Sequence, residues 1–114
     1  MTPQAIFNKV VKHLRKQGKR AGVGEAEDFQ CLYRAPDGTK CAVGCLLKDD
    51  EYSPIMESKS VDCIQLPERL YPHSSLLVEL QDLHDGSSNW KKRGGIKETA
   101  IRKVAKSLGL KVPE

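Results

Sequence analysis

The residues Ile6, Phe7, Val10, Val11 and Leu14 recur at helical spacing behind a Thr2-Pro3 start. This stripe constrains the fold more than any other feature of the chain. A threonine hydroxyl can cap the first free amides, and proline fits the first helical position because it has no N–H to satisfy. Lys9, Lys12, Lys16 and Lys19 lie off the stripe, and Gly18 is a natural stop. The pattern predicts a helix over residues 3–17 with one wet basic face and one buried face. Such a helix needs a partner surface, and two later stretches supply it. Leu76, Leu77, Leu80 and Leu83 behind Ser74 and before Gly86 predict a helix over 74–85. Ile96, Ala100, Ile101, Val104 and Leu108 before Gly109 predict another over 95–108, with Lys97, Arg102, Lys103 and Lys106 on its other side.

Between the first two helices the rhythm changes. Residues 18–28 are glycine-rich without periodicity and read as a loop. Phe29, Cys31 and Tyr33 then alternate with Gln30, Leu32 and Arg34, the period of a strand. Ala35-Pro36-Asp37-Gly38 is a turn signature, because proline presets φ and glycine supplies a positive φ. The expectation is a β-hairpin over 29–43, too small to stand alone and therefore laid on the helices. A chain of 114 residues holds one core. The expected architecture is α+β, a single domain over 1–114 with three main helices packed with a minor β-hairpin.

Charge is segregated along the chain. Residues 1–20 carry six bases and no acid, residues 21–90 five bases and thirteen acids, and residues 91–114 eight bases and two acids. Two readings stand open: solvated basic helix faces, or two basic ends that converge into an anion-binding surface. No apolar run approaches the roughly 18 residues of a membrane span. The N-terminal stretch lacks the apolar core of a signal peptide, so a cytoplasmic location is expected. In that compartment thiols stay reduced.

Four side-chain groups bear on function. Cys31, Cys41, Cys45 and Cys63 are spaced C-x9-C-x3-C-x17-C. This departs from the paired CxxC-like knuckles of structural zinc, so the hairpin cysteines read as core and no metal is assigned. His13, His73 and His84 stand in no context that marks a catalytic pair with a thiol, and no catalytic residue is assigned. Asp49-Asp50-Glu51 lacks the spacing of a calcium loop and reads as a solvated acidic loop. The candidate ligand contacts are Tyr33, Arg34 and Lys40 beside the turn, with Trp90, Lys91, Lys92 and Arg93 in the loop before the last helix. Arg34 offers a planar fork for phosphate and Tyr33 a ring for stacking. The competing reading pairs Arg34 with a carboxylate and buries half of Tyr33. Trp90 is either an exposed anchor for a partner or a staple between the second and third helices.

The stretch CLYRAPDGTKCAVGCLLKDDEYSPIME resembles one found in small accessory proteins of tailed bacteriophages. The likeness extends to Ile6, Phe7, Lys9, Val10, His13, Leu14, Lys16 and Gln17 in the first helix. It then runs through Tyr33, Arg34, Asp37, Gly38 and Lys40 to Gly44, and ends at Asn89-Trp90. The resemblance implies a phage accessory protein in the host cytoplasm, and it carries no catalytic role to any residue. The expected function is stoichiometric counter-defence: sequestering a nucleotide signal or occluding a host immune protein, without turnover and without a cofactor. The expected assembly is a homo-oligomer, since symmetric copies create pocket walls that a small monomer lacks. The alternative is nucleic-acid binding through the basic C-terminal helix.

Overall fold

The computed structural model describes residues 1–114. Helix α1 spans Pro3–Gln17, α2 spans Ser74–Asp85 and α3 spans Glu98–Leu108. The Ala5 N–H donates to the Thr2 hydroxyl at 3.1 Å, and the Gly18 N–H closes the other end of α1 on the Leu14 carbonyl. Ile6, Phe7, Val10, Val11 and Leu14 are fully buried. They share one core with Leu77, Leu80 and Leu83 of α2 and Ile101 and Ala105 of α3. Helix α2 lies against both α1 and α3. Each fully buried leucine, isoleucine or phenylalanine contributes roughly 1.5–3 kcal/mol of transfer free energy, so this cluster is the main source of stability.

Helix α3 starts three residues later than the periodicity suggests. Residues 95–97 close the preceding loop: Ile96 bridges back to Trp90, and the Lys97 N–H donates to the Asn89 carbonyl at 2.8 Å.

The expected hairpin over 29–43 is not a continuous ladder. The two strands are β1, Gly22–Val23, and β2, Gln30–Cys31, antiparallel with Gly22 opposite Cys31. The glycine-rich segment read as a loop thus supplies the partner strand, with a 3₁₀ turn at Ala26–Asp28 between the two. Around Pro36-Asp37-Gly38 only a single bridge forms, Arg34 with Lys40. The reason lies in competing acceptors. The Glu57 carboxylate takes the N–H groups of Tyr33 and Arg34 at 2.8 and 3.2 Å, and the Leu32 N–H goes to the Ala21 carbonyl. The Asp37 side chain accepts from both the N–H and the hydroxyl of Thr39. The chain then tightens into a 3₁₀ turn at Gly44–Leu46. A Cβ on Gly44 would stand 1.9 Å from the Tyr33 carbonyl oxygen, so this crossing admits only glycine.

From Leu47 to Leu70 the chain is held by short turns and ion pairs. Arg69 is clamped between Glu51, with two contacts, and the Leu46 carbonyl at 2.7 Å. Beyond Gly109 the tail runs back along α1. Gln4 both donates to and accepts from the Lys111 backbone, at 2.8 and 2.9 Å, and Arg15 donates to the Pro113 carbonyl at 2.8 Å. Leu110 and Val112 pack on the core.

Candidate functional site

The hairpin candidates are engaged internally. Tyr33 is only 5% exposed, and its hydroxyl donates to the Lys59 carbonyl at 2.5 Å, so its ring cannot serve as a stacking platform. Arg34 pairs with Asp49 at 2.7 Å, donates to the Leu47 carbonyl at 2.7 Å, and stacks over Tyr52 with 5.1 Å to the ring centroid. Both terminal nitrogens of its fork are therefore taken within the chain, and its Nε is buried without a partner. Lys40 has its backbone locked by His13 and Gln17: the His13 Nε2–H donates to the Lys40 carbonyl at 2.7 Å, and the Gln17 amide both donates and accepts. Lys40 lines a depression with His13 and Lys16 that shares no residue with the Trp90 loop.

The Trp90 loop sits elsewhere and is closed by its own backbone hydrogen bonds. Trp90 bridges Ile96, the Lys91 N–H donates to the Gly95 carbonyl at 2.8 Å, and the Gly94 N–H donates to the Lys91 carbonyl at 3.0 Å. Gly94 and Gly95 hold φ of 98° and 92°, a region that favours glycine over any residue with a Cβ. The Gly95 N–H then donates to the Gly18 carbonyl at 2.7 Å, which docks the loop on the C-terminal end of α1. The result is a cleft of about 290 Å³ lined by Lys19, Arg20, Phe29, Trp90, Lys91 and Lys92, together with Gly18 and Gly94. Side chains from both basic ends of the sequence thus line one depression.

Each wall is anchored. Trp90 is half-buried, its Nε1–H donates to the His84 carbonyl at 2.8 Å, and its ring meets the His84 ring edge-on at 6.1 Å. Trp90 is thus pinned to α2, one of the two helices the staple reading joins, and part of its surface stays exposed. The Arg20 guanidinium lies 4.3 Å over the Phe29 ring and donates to the Asp85 carbonyl at 3.2 Å. Lys91 and Lys92 are exposed. Lys19 makes one contact, 3.2 Å to Asp37, with both side chains about half exposed. Such a surface pair is weak and easily exchanged. Arg93 is exposed at the loop tip and does not line the cleft. Sequence reasoning missed Phe29, Lys19 and Arg20 as individual partners, and the charge segregation was the only signal for the two cations.

A second cluster lies behind the Arg20 wall. Cys31 Sγ, the His84 imidazole and the Asp85 carboxylate lie within 4.8 Å of one another. The arrangement resembles a nucleophile–base–carboxylate set, but its hydrogen bonds assign it another role. The Ala21 N–H donates to His84 Nε2 at 2.8 Å, and the Nδ1–H donates to Asp85 at 2.7 Å. Nδ1 carries the proton and the single lone pair, on Nε2, is taken by the Ala21 N–H, so it is not free to accept a thiol proton. A metal on Nδ1 would force the proton onto Nε2, where it would face the Ala21 donor. Burial, and then the Asp85 charge, push the Cys31 thiol up to about 11, away from the thiolate that a nucleophile requires. Fully buried His84 is thus a structural pin between α2 and the Lys19–Ala21 segment.

The remaining cysteines divide by depth. Cys41 is fully buried, and its sulfur accepts from the Gly44 N–H at 3.2 Å. Burial pushes the Cys41 and Cys45 thiols up to about 12. Contrary to the core reading, Cys31 is only partly buried, and Cys63, outside the hairpin, is exposed. The acidic loop is exposed at Asp49 and Asp50, in line with the solvated reading. Asp49 and Glu51 turn to different arginines, Arg34 and Arg69, and those contacts hold both carboxyls below their ordinary range.

No family model matches the chain, and no curated protein or solved structure matches it.

Proposed function

We propose that the protein works by holding a phosphate-bearing ligand of the nucleotide class, unconverted, in the cleft between the end of α1 and the 90–96 loop. One observation carries this reading: four cations, Lys19, Arg20, Lys91 and Lys92, surround the half-buried rings of Phe29 and Trp90. Cations supply phosphate contacts, and fixed rings supply base contacts. The chemistry of these walls is that of recognition. The nearest thiol is held protonated, and the nearest imidazole is spent on backbone and carboxylate. The resemblance of the hairpin motif to phage accessory proteins supplies the setting. There a stoichiometric binder keeps a host nucleotide from its receptor. The homo-oligomer expected from chain size would add a second wall to this one-sided cleft.

The test is equilibrium binding of labelled mononucleotides, cyclic dinucleotides and oligonucleotides to the purified protein. Native mass spectrometry reports subunit number and ligand mass. Bound ligand should be recovered intact after heating. The Lys91→Ala/Lys92→Ala double variant, at two exposed positions, should bind at least tenfold more weakly. Conversion of the ligand, or unchanged affinity in the double variant, would overturn the reading.

A further inference from the structure

We infer that the ligand of this cleft is a segment of single-stranded nucleic acid, not a free mononucleotide; the inference rests on the binding reading above. Size comes first. The cleft measures about 290 Å³ and is shallow and open. Sites for small ligands run from about 300 to 1,000 Å³ and bury most of the ligand surface. A mononucleotide here would leave much of its surface in water. A strand does not need enclosure at any one point, because it collects contacts along its backbone.

The cationic surface also continues past the cleft. Exposed Arg93 extends it at the loop tip. The exposed cations therefore extend from Lys19 past the cleft to the loop tip.

The rings decide between a strand and a duplex. Arg20 stacked on Phe29 makes a layered platform, and Trp90 is fixed by its bond to His84. Both sit in a depression that only unpaired bases can enter, since a duplex hides its base faces. The acidic middle of the chain, which meets the cleft edge at Asp37, restricts the footprint to a few nucleotides.

The probe is a fluorescein-labelled oligo-dT of about 12 nucleotides, within the range of known single-strand site sizes. ATP and a duplex of equal length serve as comparators. Trp90 is the only tryptophan, so its emission reports base stacking directly. If the four lining cations meet four phosphates, affinity should fall about 50-fold between about 50 and 200 mM salt. Lys91→Ala/Lys92→Ala should reduce that fall to about sevenfold. Phe29→Ala should weaken binding about tenfold with the salt dependence unchanged, because it removes stacking and no charge. Trp90 emission should be quenched by oligo-dT in the parent protein, and this readout needs no variant to fold. Duplex bound as tightly as the strand, or saturation without quenching, would overturn the inference. Binding of ATP without binding of oligo-dT would overturn it too, while leaving the broader nucleotide reading intact. Binding of neither would remove both.

Discussion

Glu57 shows how one side chain sets the local architecture. Its carboxylate accepts the N–H groups of Tyr33 and Arg34 and the hydroxyl of Tyr52, the last at 2.7 Å. The bond to Tyr33 withholds its N–H from a strand ladder, while Arg34 still bridges Lys40. Glu57→Gln keeps the shape but replaces an acceptor with a donor that faces other donors. It should cost about 2–3 kcal/mol, read as a lowered urea midpoint with an unchanged m-value. None of this was legible beforehand. The alternation of Phe29, Cys31 and Tyr33 reports that the segment is extended, but it does not identify its hydrogen-bond partner. Glu57 is too distant in sequence to enter such a pattern. Phe29 escaped notice as a cleft residue for the same reason: its neighbours Arg20 and Trp90 are adjacent only in the fold.

At the level of elements, the helices were the legible part. Thr2-Pro3 and Gly18 bound α1 because capping chemistry is local; α2 stops at Gly86 as its pattern suggests, but neither serine caps its start, where His73 precedes Ser74 without a side-chain bond. The start of α3 was not legible. Ile96 fits the helical stripe but is used to close the loop that carries the cations. The tail after Gly109 has no periodicity and gave no signal, yet it is built in. Leu110 and Val112 cover the core, and Arg15 and Gln4 hold the backbone. Truncation after Gly109 should cost roughly 2–4 kcal/mol, from lost apolar cover and hydrogen bonds. Thermal unfolding of the shortened chain checks this: an unchanged midpoint would mean that the tail packs without contributing. The cleft, on the far side of Arg15, should keep its ligand affinity below the new midpoint.

For the whole molecule, acids and bases distant in sequence are paired in the fold, with consequences for pH. Contact with Arg69 holds the Glu51 carboxyl at about 2, and bonds from Thr39 hold Asp37 at about 2. Asp49, Asp62 and Glu98 are also lowered by their hydrogen-bond partners. A carboxyl lowered by folding stabilises the native state above its unfolded pKa of about 4. That contribution is lost as pH falls through the folded value. Burial lowers His13 as well, so its share begins to be lost as pH drops below about 6.5. Both effects have the same sign. The urea midpoint should fall continuously from pH 7 to pH 2, gently because the carboxylates are exposed and screened. A midpoint that rises on acidification from pH 7 to 4 would contradict these assignments. The bond between Gln4 and Lys111 has a practical corollary. It fixes the start of α1 about 20 Å along the helix from the cleft, while the last residues turn toward Arg15. A dye, a surface tether or a fused reporter attached ahead of Gln4 would stand clear of the ligand.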